Sequence, residues 1–533
     1  MREDYKSFLD WVVYQIYPKS FLDTNGDGWG DLNGVEQKLD YISSLGANAI
    51  WLCPIYKSPQ KDNGYDISSY RQIDERYGGM EDFDRLVSVA KRKGIKIIMD
   101  LVANHTSSEH EWFVQARSSR DNPYHDYYYF VEKPTNEWQS VFGGSAWEYN
   151  AQTDEYYLHS FAVEQPDLNW QNPKVRQEFC EIIDFWVDKG VDGFRCDVLD
   201  FIAKDFDKDK MYGGDELHEY VQGLFSREKV KKLFTVGECQ ADEKSILELC
   251  GEERGELKCS FQFEHLSTGR SKFIAPFYTF EEFAKVLVKW QEFSFKTDFL
   301  YVLFTDNHDY PWLNSRMGND KAKRYYSSTS IALLVYGLRG IPFIYQGQEL
   351  GSANSKFEKI DDFDDVEVKN YYGERKGKIA ENKLLDELNY GNRDNTRRPF
   401  AWTIEKNHGF TDGTPWIAFS TRSNEINLER EVAREKSVFA FYRELFSLRN
   451  SIPALRYGGF KDVTNGKGFI AYEREYGDEK YLIVCNFERE RKITGYGYGV
   501  VKLANFTAKR DEKISIDRTF QEFECAMFLI ERV

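Results

Sequence analysis

Residues 83–102 read FDRLVSVAKRKGIKIIMDLV. The first half sets Phe83, Leu86, Val87 and Ala90 at i, i+3, i+4 and i+7, the spacing of one apolar helix face. The second half, IKIIMDLV at 95–102, is an apolar run of strand length carrying a carboxylate near its end. A helix feeding a buried strand is a βα unit, and the flanking sequence repeats it. Upstream, VVYQIY at 12–17 and ANAIWLCP at 47–54 bracket a segment with Val35, Leu39, Ile42 and Leu45 at helical spacing. Downstream, Asn172 as N-cap before Pro173 opens another helix, which leads into VDGFRCDV at 191–198.

Further strands are predicted at 233–239 (LFTVGEC), 259–265 (CSFQFEH), 299–306 (FLYVLFTD) and 341–349 (IPFIYQGQE), for eight in all. Eight strands alternating with helices over this length favour an α/β fold of the (β/α)8 TIM-barrel type over an open doubly wound sheet. The segment 105–171, rich in Tyr, Trp, Asn and Gly, interrupts the alternation and reads as a subdomain inserted after strand three. Such excursions belong on the catalytic face of a barrel. From 453 the texture changes to short alternating runs, GFIAYERE, KYLIVCNF and CAMFLIER, broken at Asn465-Gly466 and Gly477-Asp478. The predicted organisation is a barrel at 1–104 and 172–452, an inserted subdomain at 105–171, and an antiparallel, β-sandwich-like domain at 453–533. The acidic run Asp361-Asp362-Phe363-Asp364-Asp365 reads as a solvated loop.

With 41% hydrophobic and 16% aromatic residues among 533, the chain can bury a sizeable core. Its net charge of -17 argues against nucleic acid as a partner and suits an enzyme handling neutral or cationic ligands. No signal-peptide core opens the sequence, and no window reaches the roughly 18 apolar residues of a membrane span. Eight cysteines without CxxC spacing read as reduced thiols, and a cytoplasmic location is expected.

Polar residues gather at the C-terminal ends of the predicted strands: Asp100, Asn104 and His105; Arg195 and Asp197; Glu238; Asn307, His308 and Asp309. Two carboxylates flanking a glycosidic bond are what a retaining glycosidase requires, one attacking the anomeric carbon and the other, protonated, donating to the leaving oxygen. Arg195, two residues from Asp197 and on the same strand face, would keep Asp197 ionised as a nucleophile.

DLVANH at 100–105, GFRCD at 193–197, VGE at 236–238 and FTDNHD at 304–309 resemble the four signature regions of glycoside hydrolase family 13, the α-amylase family. QPDLNW at 165–170 resembles a fifth, in the form of the oligo-1,6-glucosidase subfamily. The resemblance implies Asp197 as nucleophile, Glu238 as general acid/base and Asp309 as transition-state stabiliser, with His105 and His308 hydrogen-bonding the sugar. DNGYD at 62–66 implies Tyr65 as a stacking platform and Asp66 as an acceptor from sugar hydroxyls, and RDNTRRPFAW at 393–402 implies Arg397 beside Asp66, closing the pocket. Phe161, in the excursion, joins the substrate-binding set. Val198 does too, because a valine after the nucleophile accompanies α-1,6 preference in this family, and alanine or threonine α-1,4.

Asp23, Asn25, Asp27 and Asp31 alternate oxygen ligands through a glycine-rich loop suited to a hard cation, although Gly34 stands where an EF-hand needs glutamate. The resemblance implies a structural Ca2+ on these four side chains and the Trp29 carbonyl; a metal-free Asx turn is the alternative. No organic cofactor is implied.

The sequence departs from the subfamily at Cys196, Asp306, Gln348 and Tyr310-Pro311-Trp312, which bear on the leaving group more than on the chemistry. The expectation is an exo-acting, retaining α-glucosidase for short α-gluco-oligosaccharides of the isomaltose type, a monomer or weak homo-oligomer. Trehalose-6-phosphate hydrolysis, sucrose hydrolysis or isomerisation, and α-1,4 preference remain open. A catalytically silent structural partner is disfavoured by the three intact carboxylates.

Overall fold

A computed structural model of the chain describes residues 3–240, 242–250, 256–267, 273, 279–464 and 467–530. Eight parallel strands form the central sheet: β1 Val13–Ile16, β2 Ala49–Leu52, β3 Lys96–Val102, β4 Gly193–Asp197, β5 Phe234–Gly237, β6 Cys259–Ser260, β7 Val302–Leu303 and β8 Ile341–Tyr345. They pair in the order β6-β5-β4-β3-β2-β1-β8-β7. A single parallel bridge between Ser260 and Tyr301 closes the ring. The chain therefore folds as the (β/α)8 barrel its pattern predicts.

Helices alternate with the strands for the reasons the sequence gives. In Met80–Arg92, Phe83, Leu86 and Ala90 are buried against the barrel. In Pro173–Asp188, the Asn172 side chain accepts from the Lys174 N–H and proline occupies the first turn. The helix Arg324–Tyr336 is buried all round, as one sandwiched between two layers must be. On its outer side Tyr472 donates to the carbonyls of Leu333 and Leu334. Tyr472 belongs to a six-stranded antiparallel sheet running from Gly459–Asp462 to Cys525–Ile530. The predicted turn at Asn465-Gly466 lies outside the described residues.

Strands β6, β7 and β8 are shorter than predicted: Glu264–Ser267 and Gln348–Leu350 are already helical turns. An apolar run alone does not distinguish a strand from the buried turn that follows it.

Two excursions leave the C-terminal face. The first carries a three-stranded sheet from Phe130–Val131, Trp147–Asn150 and Glu155–Leu158, and the bridge His105–Asp167 joins its two ends. The second, after β8, contains helices Val366–Arg375 and Glu381–Gly391 with a small core of their own around Phe357, Phe363, Val368, Leu384 and Leu388. The acidic run at 361–365 belongs to it. Asp361, Asp362 and Asp364 are exposed, but Asp365 is buried against Arg393, so the run is not simply a solvated loop. The excursions meet where Asn370 Nδ2 donates to the Phe142 carbonyl at 3.0 Å.

Candidate active site

Strand register brings the carboxylates together. Asp100 on β3 is opposite Arg195 on β4, and Cys196 is opposite Gly237 on β5, so Glu238 follows β5 directly beside Asp197. Gly193 permits this approach, because a Cβ there would lie 2.4 Å from the Phe234 carbonyl oxygen. Neighbouring strands are about 4.8 Å apart, so adjacent strand ends favour the close carboxylate spacing of retaining enzymes over the wider inverting one.

One guanidinium serves three acids. Arg195 Nη1 donates to Asp100 Oδ1 at 2.7 Å and Asp197 Oδ1 at 2.5 Å, while Nη2 donates to Glu238 Oε2. Asp100 is further held by Trp51 Nε1 at 3.0 Å and Tyr65 OH at 3.1 Å. Burial pushes Asp197 and Glu238 above the usual carboxylate range, and Arg195 opposes the shift. Arg195 therefore orients Asp197 but shares its charge, which differs from a dedicated pairing. Three carboxylates sharing one cation titrate as a unit. Side-chain exposure rises from 0% at Asp100 through 9% at Asp197 to 15% at Glu238, so Glu238 is the most open of the three.

Asp309 lies across from this cluster. Arg397 Nη2 reaches it at 3.1 Å, Arg393 Nη1 approaches to 3.6 Å, and His308 Nε2 is at 3.0 Å from its Oδ2. His308 also stacks on Tyr65, with ring centroids 5.3 Å apart and planes within 4°. Burial pushes His105 down to about 4 and His308 to about 3, so both are neutral at neutral pH.

Asp197, Glu238, His308 and Asp309 line a cavity of about 400 Å³ with Asp62, Tyr65, His105, Phe161, Val198 and Arg393, and Arg195 lies behind it. Two expected members are elsewhere. Asp66 is fully buried, its oxygens accepting from Ser58 Oγ and the N–H groups of Lys61 and Asp62, so it folds the loop and does not face the cavity. Arg397 does not reach it; its Nε donates to the His308 carbonyl and its Nη2 to Asp309. The pair in the expected arrangement is Asp62 with Arg393, at 3.2 Å, and Arg393 also binds Asp365 at 2.7 Å. Both stand in the motifs read from sequence, four residues before the ones chosen there.

Val198 lines the cavity in a left-handed conformation, φ 34° and ψ 49°, which is an outlier for a β-branched residue. Phe161 packs edgewise against Phe142 and at a tilt against His105 and Phe201. Cys196 is wholly buried away from the cavity, and burial pushes its thiol pKa up. Behind the wall, Lys204 Nζ lies 2.9 Å from Asp167 Oδ2 and 2.8 Å from Asn104 Oδ1, which ties the first excursion to the barrel.

In the loop 23–31, each acceptor is turned onto the loop's own amides. Asp23 accepts from the N–H groups of Asn25, Gly26 and Gly28, Asn25 from Asp27, Asp27 from Trp29, and Asp31 from Thr24 and Gly34. The all-oxygen donor set suits calcium, but among the described residues no three acidic, histidine or cysteine side chains converge to hold a metal. Lys19 links this loop to the loop at 62–66: its ammonium lies 4.0 Å and 3.7 Å from the Trp29 and Trp416 ring centroids and 2.7 Å from Asn63 Oδ1.

The family model described as alpha amylase, catalytic domain, matches residues 15–458. The chain belongs to the α-amylase family. It is 41% identical over 511 residues to an oligo-1,6-glucosidase of Parageobacillus thermoglucosidasius, covering 90% of each chain. It is 40% identical to a trehalose-6-phosphate hydrolase of Escherichia coli (strain K12), again with 90% of each covered. Among solved structures, an isomaltulose synthase mutant of Erwinia rhapontici NX5 with sucrose superposes with a TM-score of 0.93 at 37% identity, over 98% of this chain and 99% of that one. This α-amylase-family chain is a glycoside hydrolase with α-glucosidase activity. Among its described residues, no helix is long and apolar enough to cross a membrane.

Proposed function

We propose that the protein is an exo-acting, retaining α-glucosidase that releases glucose from the nonreducing end of short, uncharged α-1,6-glucosides such as isomaltose. Asp197 would attack the anomeric carbon, Glu238 would protonate the leaving oxygen and then activate water, and Asp309 would bind sugar hydroxyls and stabilise the oxocarbenium-like transition state. Tyr65, His105, His308, Asp62 and Arg393 would hold the terminal glucose.

The charge of the cavity carries the choice of substrate. Among the described residues its lining has five carboxylates, Asp62, Asp197, Glu238, Asp309 and Glu367, against Arg393 as the only arginine or lysine side chain. Arg393 is already held by Asp62 and Asp365. A phosphorylated leaving group would meet net negative charge, whereas a neutral sugar meets Val198, Phe161, Phe201 and Tyr310. Val198 supports the α-1,6 linkage through the family resemblance. A second cavity of about 840 Å³ shares Met211, Tyr212 and Gln240 with the first and gives room for longer aglycones.

A structural Ca2+ held by Asp23, Asn25, Asp27, Asp31 and the Trp29 carbonyl belongs to the proposal, as do a cytoplasmic location and a monomeric or weakly associating state. The deciding experiment compares isomaltose, maltose, sucrose, trehalose and trehalose-6-phosphate at equal concentration. Fastest glucose release from isomaltose is expected; fastest turnover of trehalose-6-phosphate would overturn the substrate assignment.

A further inference from the structure

His308 is held on both faces and both edges, and one of these contacts has no part in the chemistry described above. Its ring stacks on Tyr65 on one side, and Tyr17 lies 6.2 Å away at 23°. Its Nε2 edge meets Tyr65 OH at 2.7 Å and Asp309 Oδ2 at 3.0 Å, both from residues that line the cavity. The Nδ1 edge meets the amide nitrogen of Gln15 at 2.9 Å. Gln15 is on β1, in register with Trp51 on β2 and Tyr345 on β8, and is only 2% exposed. The same nitrogen lies 3.4 Å from Cys53 Sγ.

A neutral imidazole carries one N–H, and its neighbours decide which nitrogen bears it. The Gln15 NH2 group only donates, so Nδ1 must accept and the ring proton sits on Nε2. The opposite edge agrees, because a carboxylate such as Asp309 only accepts. Turning the Gln15 amide over would set Oε1 against Nδ1, draw the proton there, and leave the Nε2 lone pair facing Asp309 at 3.0 Å. Tyr65 completes the set: its oxygen accepts from Nε2–H while its own hydrogen goes to Asp100 Oδ2 at 3.1 Å.

We propose that Gln15 is a positioning residue that fixes His308 as the Nε2–H tautomer, so that the imidazole edge at the cavity presents a hydrogen-bond donor and not a lone pair. Gln15 itself touches no substrate. It acts from the floor of the barrel through His308, and only the kinetic consequence rests on the glucosidase reading above. Arg195, Arg393, Arg397 and Asp309 act on the charge of the ring; Gln15 and Asp309, at opposite edges, favour the same nitrogen for its proton, and Gln15 is the one of the two outside the cavity.

The test is a two-bond 1H–15N correlation spectrum of the full-length protein with 15N-labelled histidine at neutral pH. The His308 signals are those lost in His308→Gln. The expected wild-type pattern has an unprotonated Nδ1 and a protonated Nε2. Gln15→Glu, of nearly the same shape but accepting only, is expected to move the proton to Nδ1 or charge the ring. Gln15→Met, which offers no donor, is expected to give a mixture of tautomers. Both should lower kcat/KM on an aryl α-glucoside by about 10-fold, the scale of one hydrogen bond. A wild-type proton on Nδ1 overturns the proposal without any variant, and so does an unchanged tautomer in Gln15→Glu. If the tautomer shifts while kcat/KM stays within twofold, the positioning role falls. A wild type inactive on every α-glucoside would sink the glucosidase reading and leave the tautomer assignment standing.

Discussion

Asp62 and Arg393 face each other at 3.2 Å beside Asp309, although 331 residues separate them in the chain. The contact joins the loop after β2 to the end of the second excursion, so the sugar-binding end of the cavity depends on both. Arg393→Ala leaves Asp62 and Asp365 buried without their cation, at a cost of about 3–5 kcal/mol. It is expected to lower Tm and raise KM for isomaltose more than it lowers kcat. By contrast Asp66→Asn, inside its own loop, should affect Tm with little change in KM. Thermal denaturation and steady-state kinetics on both variants check this; equal KM effects would reverse the assignment of the pair.

For the chemical step, Glu238→Gln is expected to lower kcat by about 10²–10⁴-fold, the usual contribution of a general acid. Asp197→Asn should abolish turnover of an aryl α-glucoside while leaving the fold intact by circular dichroism. Wild-type rates in Asp197→Asn would remove the nucleophile from the mechanism.

Linkage preference is addressed at Val198. Val198→Ala and Val198→Thr are expected to lower the ratio of isomaltose to maltose hydrolysis, read as kcat/KM on each. An unchanged ratio in both would detach this position from linkage choice.

A pH effect follows from Glu349, whose oxygens accept from Tyr14 OH at 2.6 Å, Tyr41 OH at 2.5 Å and the Gly347 N–H. Burial raises its pKa to about 7 despite these donors. The folded state therefore binds its proton more tightly than the unfolded state, so this stabilisation is present below about pH 4.5 and is lost as pH rises through 7. Compared with Glu349→Gln, the wild type should lose relative stability between pH 5 and 8, on the order of 3 kcal/mol. Urea titrations at the two pH values measure the difference, and a pH-independent difference would count against it.

If calcium is held at 23–31, chelation should lower Tm, since a ligand of the native state stabilises it. Through Lys19 and Asn63 it should also raise KM. An unchanged Tm and no bound calcium by elemental analysis would leave the loop to its Asx turns alone.

Asp197 and Glu238 were legible because each sits at a strand end, where period-two alternation and barrel geometry leave little choice of direction. Asp197 and Glu238 are placed by register alone. Asp62 and Asp66 were not separable in this way, since both are aspartates in one irregular loop. Which of them turns inward is decided by the amides of Lys61 and Asp62, which claim Asp66. Arg393 and Arg397 raise the same difficulty at the two ends of one helical turn, and their partners come from distant segments. The second excursion escaped notice because its small core is spread over short runs that no periodicity marks out.

The left-handed backbone at Val198 restricts what can evolve at that position. Holding a β-branched residue there costs on the order of 1–3 kcal/mol, a strain that glycine would relieve. Under the proposed function, the valine side chain offsets in linkage discrimination what its backbone takes from stability. Val198→Gly should therefore give a sturdier but less selective enzyme, and laboratory evolution for heat resistance would tend to broaden the range of sugars accepted.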